Sequence, residues 1–267
     1  MTRSRSPAFD PHAPRRHQCA FRFYAELNDF LPHPQRQQSF HYDFIGTPAV
    51  RDAIQAIGVP HTEVDLILID GRSVDFGQRL NGGEQVSVYP VFERFDIADA
   101  QHLRPQPLRE PRFAVDVHLG TLARRLRLCG FDTLYRNDWT DPELLACALA
   151  EHRILLSRDR GLLFHKALTH AYYLRSTEPD AQLRELVQAL QLASLVRPFS
   201  RCLRCNEALQ AVDADSARSL SNPPPPVYDH YSWCPRCRQL YWPGCHYQAM
   251  QRQLQRCLDD RCAMQFT

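Results

Sequence analysis

The sequence predicts an α/β protein whose central domain is built on a parallel sheet. Three short apolar runs, at residues 113–115, 132–135 and 154–156, each end in polar or acidic residues. Helical patterns fill the two intervals between these runs. The resulting order β-α-β-α-β is typical of a parallel sheet, in which helical crossovers join the strands.

Acidic residues follow all three predicted strands. Asp116 follows the first run, Asp141 the second and Asp159 the third. Ligands of parallel sheets bind outside the carboxyl ends of the strands, so we expect these carboxylates on one rim. Gathered carboxylates repel one another unless a cation joins them, and oxygen-only sites suit Mg²⁺ or Mn²⁺. Such an ion can position a phosphodiester and activate water. The residues therefore favour a metal-dependent nuclease site. Arg158 and Arg160 would stabilise phosphate charge there, although Arg158 could equally support the turn after the third strand.

Each aspartate also has a structural alternative. Asp141 precedes a Pro-Glu pair and so fits a helix N-cap, while Asp159 precedes Arg-Gly and fits a cap or a turn. Asp116 carries most of the functional interpretation, because a carboxylate that ends an apolar strand has no evident local role. Asp138 and Glu143 are further candidate ligands of lower rank.

A second metal site is predicted from two Cys-x-x-Cys motifs. Its four ligands are Cys202, Cys205, Cys234 and Cys237. Two such motifs make a closed tetrahedral thiolate set, which is typical of structural Zn²⁺ and leaves no open position for catalysis. The interval between the motifs exceeds the usual ~15–20 residues, and the proline run at 223–226 accounts for the excess. A redox dithiol is the alternative for either motif alone. Arginines and aromatic residues interleave with the cysteines, which suits single-stranded RNA, although a small zinc domain also needs aromatics for its core.

The rest of the chain is predicted to contribute an N-terminal unit and two flexible segments. Residues 1–18 lack periodicity and predict a disordered tail. Residues 19–96 show the order ββαββ, which indicates a small β-grasp fold. Residues 97–110 carry Pro105 and Pro107 and predict a linker, and residues 248–267 predict a helical tail. The ten cysteines, with no apolar run long enough for a membrane span and no secretory signal, predict a cytoplasmic protein.

Several runs resemble a known family. The runs FAVDVHLGTLARRLRLCGFDTLYRND and RILLSRDRGLL are similar to the Mut-seven C-terminal family, a PIN-like ribonuclease domain. The later runs PFSRCLRCN and WCPRCRQLYWPG, with His246, belong to the same pattern. The resemblance covers about 111–247. It implies a PIN-like fold for 111–197, a zinc ribbon for 198–247, and an acidic cluster at Asp116, Asp141 and Asp159.

The N-terminal unit resembles the ubiquitin-like domain that precedes this nuclease domain, and small sulfur-carrier proteins. Sulfur carriers need a free C-terminal Gly-Gly, whereas this chain continues through Tyr89 to Glu93. We therefore expect a docking or RNA-contacting module, with a passive folding role as the alternative.

The predicted function is Mg²⁺- or Mn²⁺-dependent hydrolysis of RNA, with the structural zinc ribbon aiding RNA contact. RNA is the expected partner, and the ubiquitin-like domain could bind a protein. The alternatives are a non-catalytic RNA-binding or adaptor protein and a DNA-directed nuclease. Net charge is only +2, so whole-protein charge does not separate these possibilities.

Overall fold

The computed structural model describes residues 16–90, 111–221 and 226–258. It divides the chain into two compact units, Met1–Gln106 and Pro107–Thr267. The predicted linker, most of the predicted N-terminal tail and the last nine residues lie outside the described residues. None of the described helices is long and apolar enough to cross a membrane.

The first unit is a five-stranded mixed sheet with one α-helix, which confirms the predicted β-grasp fold. Its elements are β1 (Arg16–Phe23), β2 (Phe40–Ile45), α1 (Val50–Ile57), β3 (Leu66–Ile69), β4 (Arg72–Val74) and β5 (Gln85–Tyr89). The strand order is β2-β1-β5-β3-β4, with β1 and β5 parallel and the other neighbours antiparallel. Strand β1 begins earlier than the predicted unit, because Arg16 already pairs with Ile45 of β2.

The second unit is built on a four-stranded parallel sheet, as the apolar runs predict. Its strands are β6 (Arg112–Val115), β7 (Asp132–Leu134), β8 (Ile154–Ser157) and β9 (Ala171–Tyr173). Its helices are α2 (Gly120–Leu128), α3 (Asp141–Ala150), α4 (Arg160–Leu163) and α5 (Pro179–Ala189). The strand order is β7-β6-β8-β9. This sheet confirms the PIN-like fold class.

Helices cover both faces of this sheet, which explains why its strands are continuous apolar runs. Neighbouring residues of a strand point to opposite faces. Phe113 and Val115 pack in one core with helices α2 and α5, while Ala114 packs in the other with α3 and α4. Helix α5 ends at Ala189, and Gln191, which has a left-handed backbone (φ 51°), separates it from a short 3-10 turn at Leu192–Leu195.

The ribbon adds a three-stranded antiparallel sheet and two helices. Its elements are β10 (Gln210–Val212), α6 (Ala214–Leu220), β11 (Tyr231–Cys234), β12 (Gln239–Tyr241) and α7 (Cys245–Leu258). Helix α7 begins inside the range predicted for the ribbon, and its Leu254 and Cys257 are buried in the same core as Cys129, which follows α2. The ribbon and α7 therefore belong to one compact unit with the parallel sheet.

Candidate active site and metal centre

The carboxyl ends of β6 and β8 form the point at which the chain reverses its direction across the sheet. From β6 the chain moves outward to β7, then crosses back to β8 on the other side of β6. Ligands of open parallel sheets bind at such a switch point. Asp116 directly follows β6, and Asp159 follows β8 by two residues.

Asp116 is a buried carboxylate that is only 8% exposed. Its Oδ1 accepts a hydrogen bond from the backbone N–H of His118 at 3.1 Å, and its Oδ2 accepts one from the Ser157 hydroxyl at 2.5 Å. The premise that Asp116 lacks a local role is therefore wrong, because the carboxylate caps the short 3-10 turn Val117–Leu119. Burial beside a strand end nevertheless fixes its position firmly.

Ser157 connects the two strand-end aspartates, and sequence reasoning missed it. Its side chain is fully buried, donates to Asp116 and accepts the backbone N–H of Asp159 at 2.9 Å. Asp159 in turn caps α4, since its Oδ1 accepts from the Gly161 N–H at 2.7 Å. The sequence did contain a signal for Ser157, because it is a polar residue at the end of an apolar strand and lies two positions before Asp159.

Asp141 lies at the start of α3 and is exposed. The prediction that it caps this helix is wrong, because the N-cap is Thr140. Thr140 and Glu143 form a capping box, in which the Glu143 carboxylate accepts the Thr140 N–H at 2.8 Å. Glu143 is thus engaged in capping, and Asp138 is paired with Arg136 on the surface at 2.9 Å.

Asp116 and Asp159 follow neighbouring strands, but among the described residues the structure does not gather the three aspartates into a metal cluster. Within the described ranges, one group of three or more His, Cys, Asp or Glu residues has ligand atoms close enough to share an ion, and it consists of the four cysteines. Asp116 and Asp159 instead make the separate capping bonds given above, and Asp141 makes none in the part of the chain that the structure describes.

Two arginines flank the rim after β8, and both are exposed. Arg158 donates from Nη1 to the backbone carbonyl of Ser176 at 3.1 Å, which supports the turn. The guanidinium carbon of Arg160 lies 5.3 Å from the ring centroid of Tyr173 on the edge strand β9.

The four ribbon cysteines form a compact cluster. The Sγ atoms of Cys202 and Cys237 are 3.4 Å apart, those of Cys205 and Cys234 are 3.3 Å apart, and all four lie within 4.8 Å of one another. A disulfide would bring two sulfurs to about 2.0 Å, whereas tetrahedral zinc with bonds of about 2.3 Å spaces them by roughly 3.8 Å. The cluster can therefore hold a structural metal such as zinc. Cys245 and His246 are exposed and stand outside it.

Hydrogen bonds prepare one of these thiols for ionisation. Burial opposes the thiolate of Cys202, but bonds from the Tyr241 hydroxyl and from the backbone of Cys205 and Arg204 outweigh it and lower its pKa to about 6. Burial and the neighbouring thiols of Cys234 and Cys202 raise the pKa of Cys237 to about 12. The surrounding hydrogen bonds therefore favour the thiolate form of Cys202.

Arg127 and Asn206 tie this cluster to the parallel sheet, and neither was recognised in the sequence. Arg127 is buried on α2 and donates to the carbonyls of Thr133, Leu203 and Arg204 at 2.9, 3.3 and 3.1 Å. Asn206 is also buried and accepts the Thr133 N–H at 2.9 Å. Two arginines of α2 are therefore used within the fold, since Arg127 holds the ribbon loop and Arg125 is paired with Asp180 at 2.9 Å.

Comparison with known proteins identifies both units. The Mut7-C RNAse domain model matches residues 111–254, and the Mut7-C ubiquitin model matches residues 17–96. No curated protein and no solved structure matches the chain significantly. Because the first match spans more than half of the chain, the protein belongs to the Mut7-C RNAse domain family and carries that family's ubiquitin-like domain before the nuclease domain.

Proposed function

We propose that this protein hydrolyses phosphodiester bonds of RNA, with Asp116, Asp141 and Asp159 at the active site. The observation that carries this proposal is the buried connection of Asp116 through Ser157 to Asp159, at the switch point of an RNAse-family sheet. A fully buried serine that fixes two strand-end aspartates is more than a helix cap requires.

The donor chemistry of the rim suits Mg²⁺ or Mn²⁺. Asp116, Asp141 and Asp159 offer hard oxygen ligands only, which these cations prefer. Asp141 and Asp159 are exposed, so their side chains have room to turn towards a common ion. When bound, such an ion would activate water and neutralise phosphate charge.

The chain itself would orient the substrate. Ser157 holds the Asp116 carboxylate in one orientation. Arg158 donates one hydrogen bond from Nη1 to the Ser176 carbonyl, which holds its exposed guanidinium at the rim. Its other N–H groups remain as donors for a phosphate oxygen.

We further propose that Cys202, Cys205, Cys234 and Cys237 hold one structural Zn²⁺. The closed four-sulfur set leaves no open coordination position, so this zinc would stabilise the fold rather than act on RNA. The arginines and aromatics around it would aid RNA contact.

The ubiquitin-like unit is proposed to be a docking module for a protein partner. Its edge strand β2, which carries the exposed Ile45, has one side free to pair with a strand of a partner. An RNA substrate and thiolate metal ligands both suit the reducing cytoplasm.

RNA binding without cleavage is the second candidate. It is favoured by the capping bonds of Asp116 and Asp159, which give both carboxylates a structural role. The two functions differ in what Asp116→Asn does, because asparagine caps nearly as well as aspartate but removes a ligand charge.

The test measures cleavage of single-stranded RNA with Mn²⁺ or Mg²⁺, with and without EDTA, by the full chain. We expect Asp116→Asn to lower the rate at least ~100-fold with zinc content unchanged. Asp215→Asn is the matched control, since Asp215 is exposed on α6 and, among the described residues, forms an ion pair with Arg218 alone. Equal cleavage by wild type and Asp116→Asn would refute this active site, and no cleavage by wild type would favour the binding function.

A further inference from the structure

A cleft lies between helix α2 and the ribbon, and none of the three rim aspartates lines it. It has a volume of about 330 Å³ and is lined by Arg124, Leu203, Arg204, Gln239 and Tyr241. These residues come from α2, from the loop between Cys202 and Cys205, and from β12. The volume falls in the range of ligand sites, about 300–1,000 Å³.

The two arginines of this cleft differ from their neighbours. Arg125 and Arg127 are used within the fold, as described above. Arg124 and Arg204 are exposed, and neither guanidinium has an ion-pair or hydrogen-bond partner among the residues that the structure describes. None of the five lining residues is acidic. Two unneutralised positive charges at one cleft favour an anionic ligand.

The backbone at Arg204 is nevertheless held firmly. Its carbonyl accepts from the buried Arg127 at 3.1 Å, within the loop that carries two metal ligands. The guanidinium therefore extends from a fixed base, which lowers the entropic cost of binding a ligand.

The other two polar residues suit a nucleotide base. Tyr241 is half-buried, and a hydrogen bond of 3.1 Å between its hydroxyl and Cys202 Sγ fixes the ring. Gln239 is exposed and donates from Nε2 to the Leu240 carbonyl at 3.0 Å, so its amide oxygen remains as an acceptor. Arginine beside a fixed aromatic ring is the combination that holds single strands, by phosphate pairing and base stacking.

The cleft also lies close to the rim along one element. Helix α2 begins at Gly120, four residues after Asp116, and Arg124 stands one turn further on. At the helical rise this places Arg124 only ~6 Å along the axis from the start of the helix. A strand held in the cleft can therefore run on to the rim.

We propose that this cleft binds single-stranded RNA that runs on towards the rim. Arg124 and Arg204 bind its phosphates, and Tyr241 stacks a base. The proposal rests on RNA being the substrate, as argued above, but it concerns binding and does not require cleavage.

The experiment measures RNA binding by the full chain in the Asp116→Asn background, so that cleavage does not interfere. Fluorescence anisotropy of a labelled single-stranded oligouridylate is followed over a salt series for Arg124→Gln, Arg204→Gln and the double variant. Arg252→Gln is the matched control, because Arg252 is an exposed arginine of α7 without a partner among the described residues. Zinc content of each variant checks the fold.

We expect the double variant to lose at least tenfold in affinity at low salt. Its slope of log affinity against log salt should fall by about 1.4, since each lost phosphate contact on a single strand is worth about 0.7. Arg252→Gln should stay within twofold of its parent. Equal binding by the double variant and the control would overturn the proposal, as would a parent that binds no RNA.

Two further outcomes separate this proposal from the catalytic one. RNA binding through the cleft without cleavage by wild type would uphold the cleft and refute the nuclease. Cleavage by wild type with unchanged RNA binding by the double variant would support the nuclease and refute the cleft as an RNA site. If polyglutamate binds as tightly as RNA and depends equally on both arginines, the cleft is a site for acidic peptides and the RNA assignment is wrong.

Discussion

Replacing Arg127 with methionine tests whether the ribbon and the parallel sheet are one structure. Methionine keeps most of the length and apolar volume of the side chain but removes every donor. Three backbone carbonyls then lose their partner, those of Thr133, Leu203 and Arg204. The first belongs to β7, and the other two belong to the loop between Cys202 and Cys205.

The cost follows from these contacts. Hydrogen bonds to a charged group contribute about 1.5–3 kcal/mol each, and the bond to Leu203 at 3.3 Å is the weakest. Burial lowers the pKa of the Arg127 guanidinium against the opposing effect of Cys205 and Cys202, so its removal recovers part of a desolvation cost. Each buried carbonyl left without a partner costs about 1–3 kcal/mol, so after the recovered desolvation the net loss of stability should be about 3–5 kcal/mol. For a unit of this size that corresponds to a fall in Tm of roughly 6–20 °C.

The assay is thermal unfolding of the full chain, with ribbon tryptophan fluorescence and release of zinc to a chelator as readouts. Arg127→Met should unfold earlier and release zinc faster than wild type. Arg124→Met is the control on the same helix, and as an exposed arginine without a described partner it should change stability by less than ~0.5 kcal/mol. The reasoning fails if the two variants unfold at the same temperature as wild type and release zinc at its rate.

Two more predictions concern the same junction. Burial opposes the Asp132 carboxylate, but hydrogen bonds from Arg153 and Asn206 outweigh it and hold its pKa below the ordinary value. Its stabilising contribution is therefore complete above the unfolded pKa of about 3.9 and is lost as pH falls through the folded pKa. The Tm of wild type should drop below pH ~4, and the Tm of Asp132→Asn should drop less over the same pH range. Equal slopes of Tm against pH for the two proteins would contradict this prediction. Gly130 has φ 93°, and a Cβ there would stand 2.1 Å from the Arg197 carbonyl oxygen, whereas Gly71 has φ 80° and open space. The free energy of unfolding should therefore fall by ~2 kcal/mol or more in Gly130→Ala beyond its fall in Gly71→Ala, where only backbone strain is added. Equal losses of Tm in the two variants would show that the structure relieves the close contact without cost.

Local patterns predicted the elements, while contacts between distant residues defined the site. The apolar runs predicted the strands correctly, because helices cover the sheet on both faces and its strands are therefore apolar throughout. The cysteine spacing predicted the cluster correctly, because four thiols are a complete ligand set. Apolar periodicity identifies the face of α2 that packs on the sheet, but it carries no information on what covers Arg127. The ribbon loop that covers it lies more than seventy residues later in the chain. The start of α3 was misplaced for a local reason, because the Thr-x-x-Glu capping box outweighs the proline signal.

The ribbon covers a sheet edge that would otherwise be open. Strand β7 is at the edge of the parallel sheet, where backbone groups on one side lack a strand partner. The Thr133 N–H donates to Asn206 Oδ1 and its carbonyl accepts from Arg127, both at 2.9 Å, so two side chains take the place of a neighbouring strand. The N–H of Asn206 in turn donates to the carbonyl of the cluster residue Cys202 at 2.9 Å. Disorder in the cysteine cluster would thus uncover β7, which pairs directly with β6, the strand that leads into Asp116. The ribbon therefore supports the sheet that carries the candidate active site, independently of any contact that it makes with RNA.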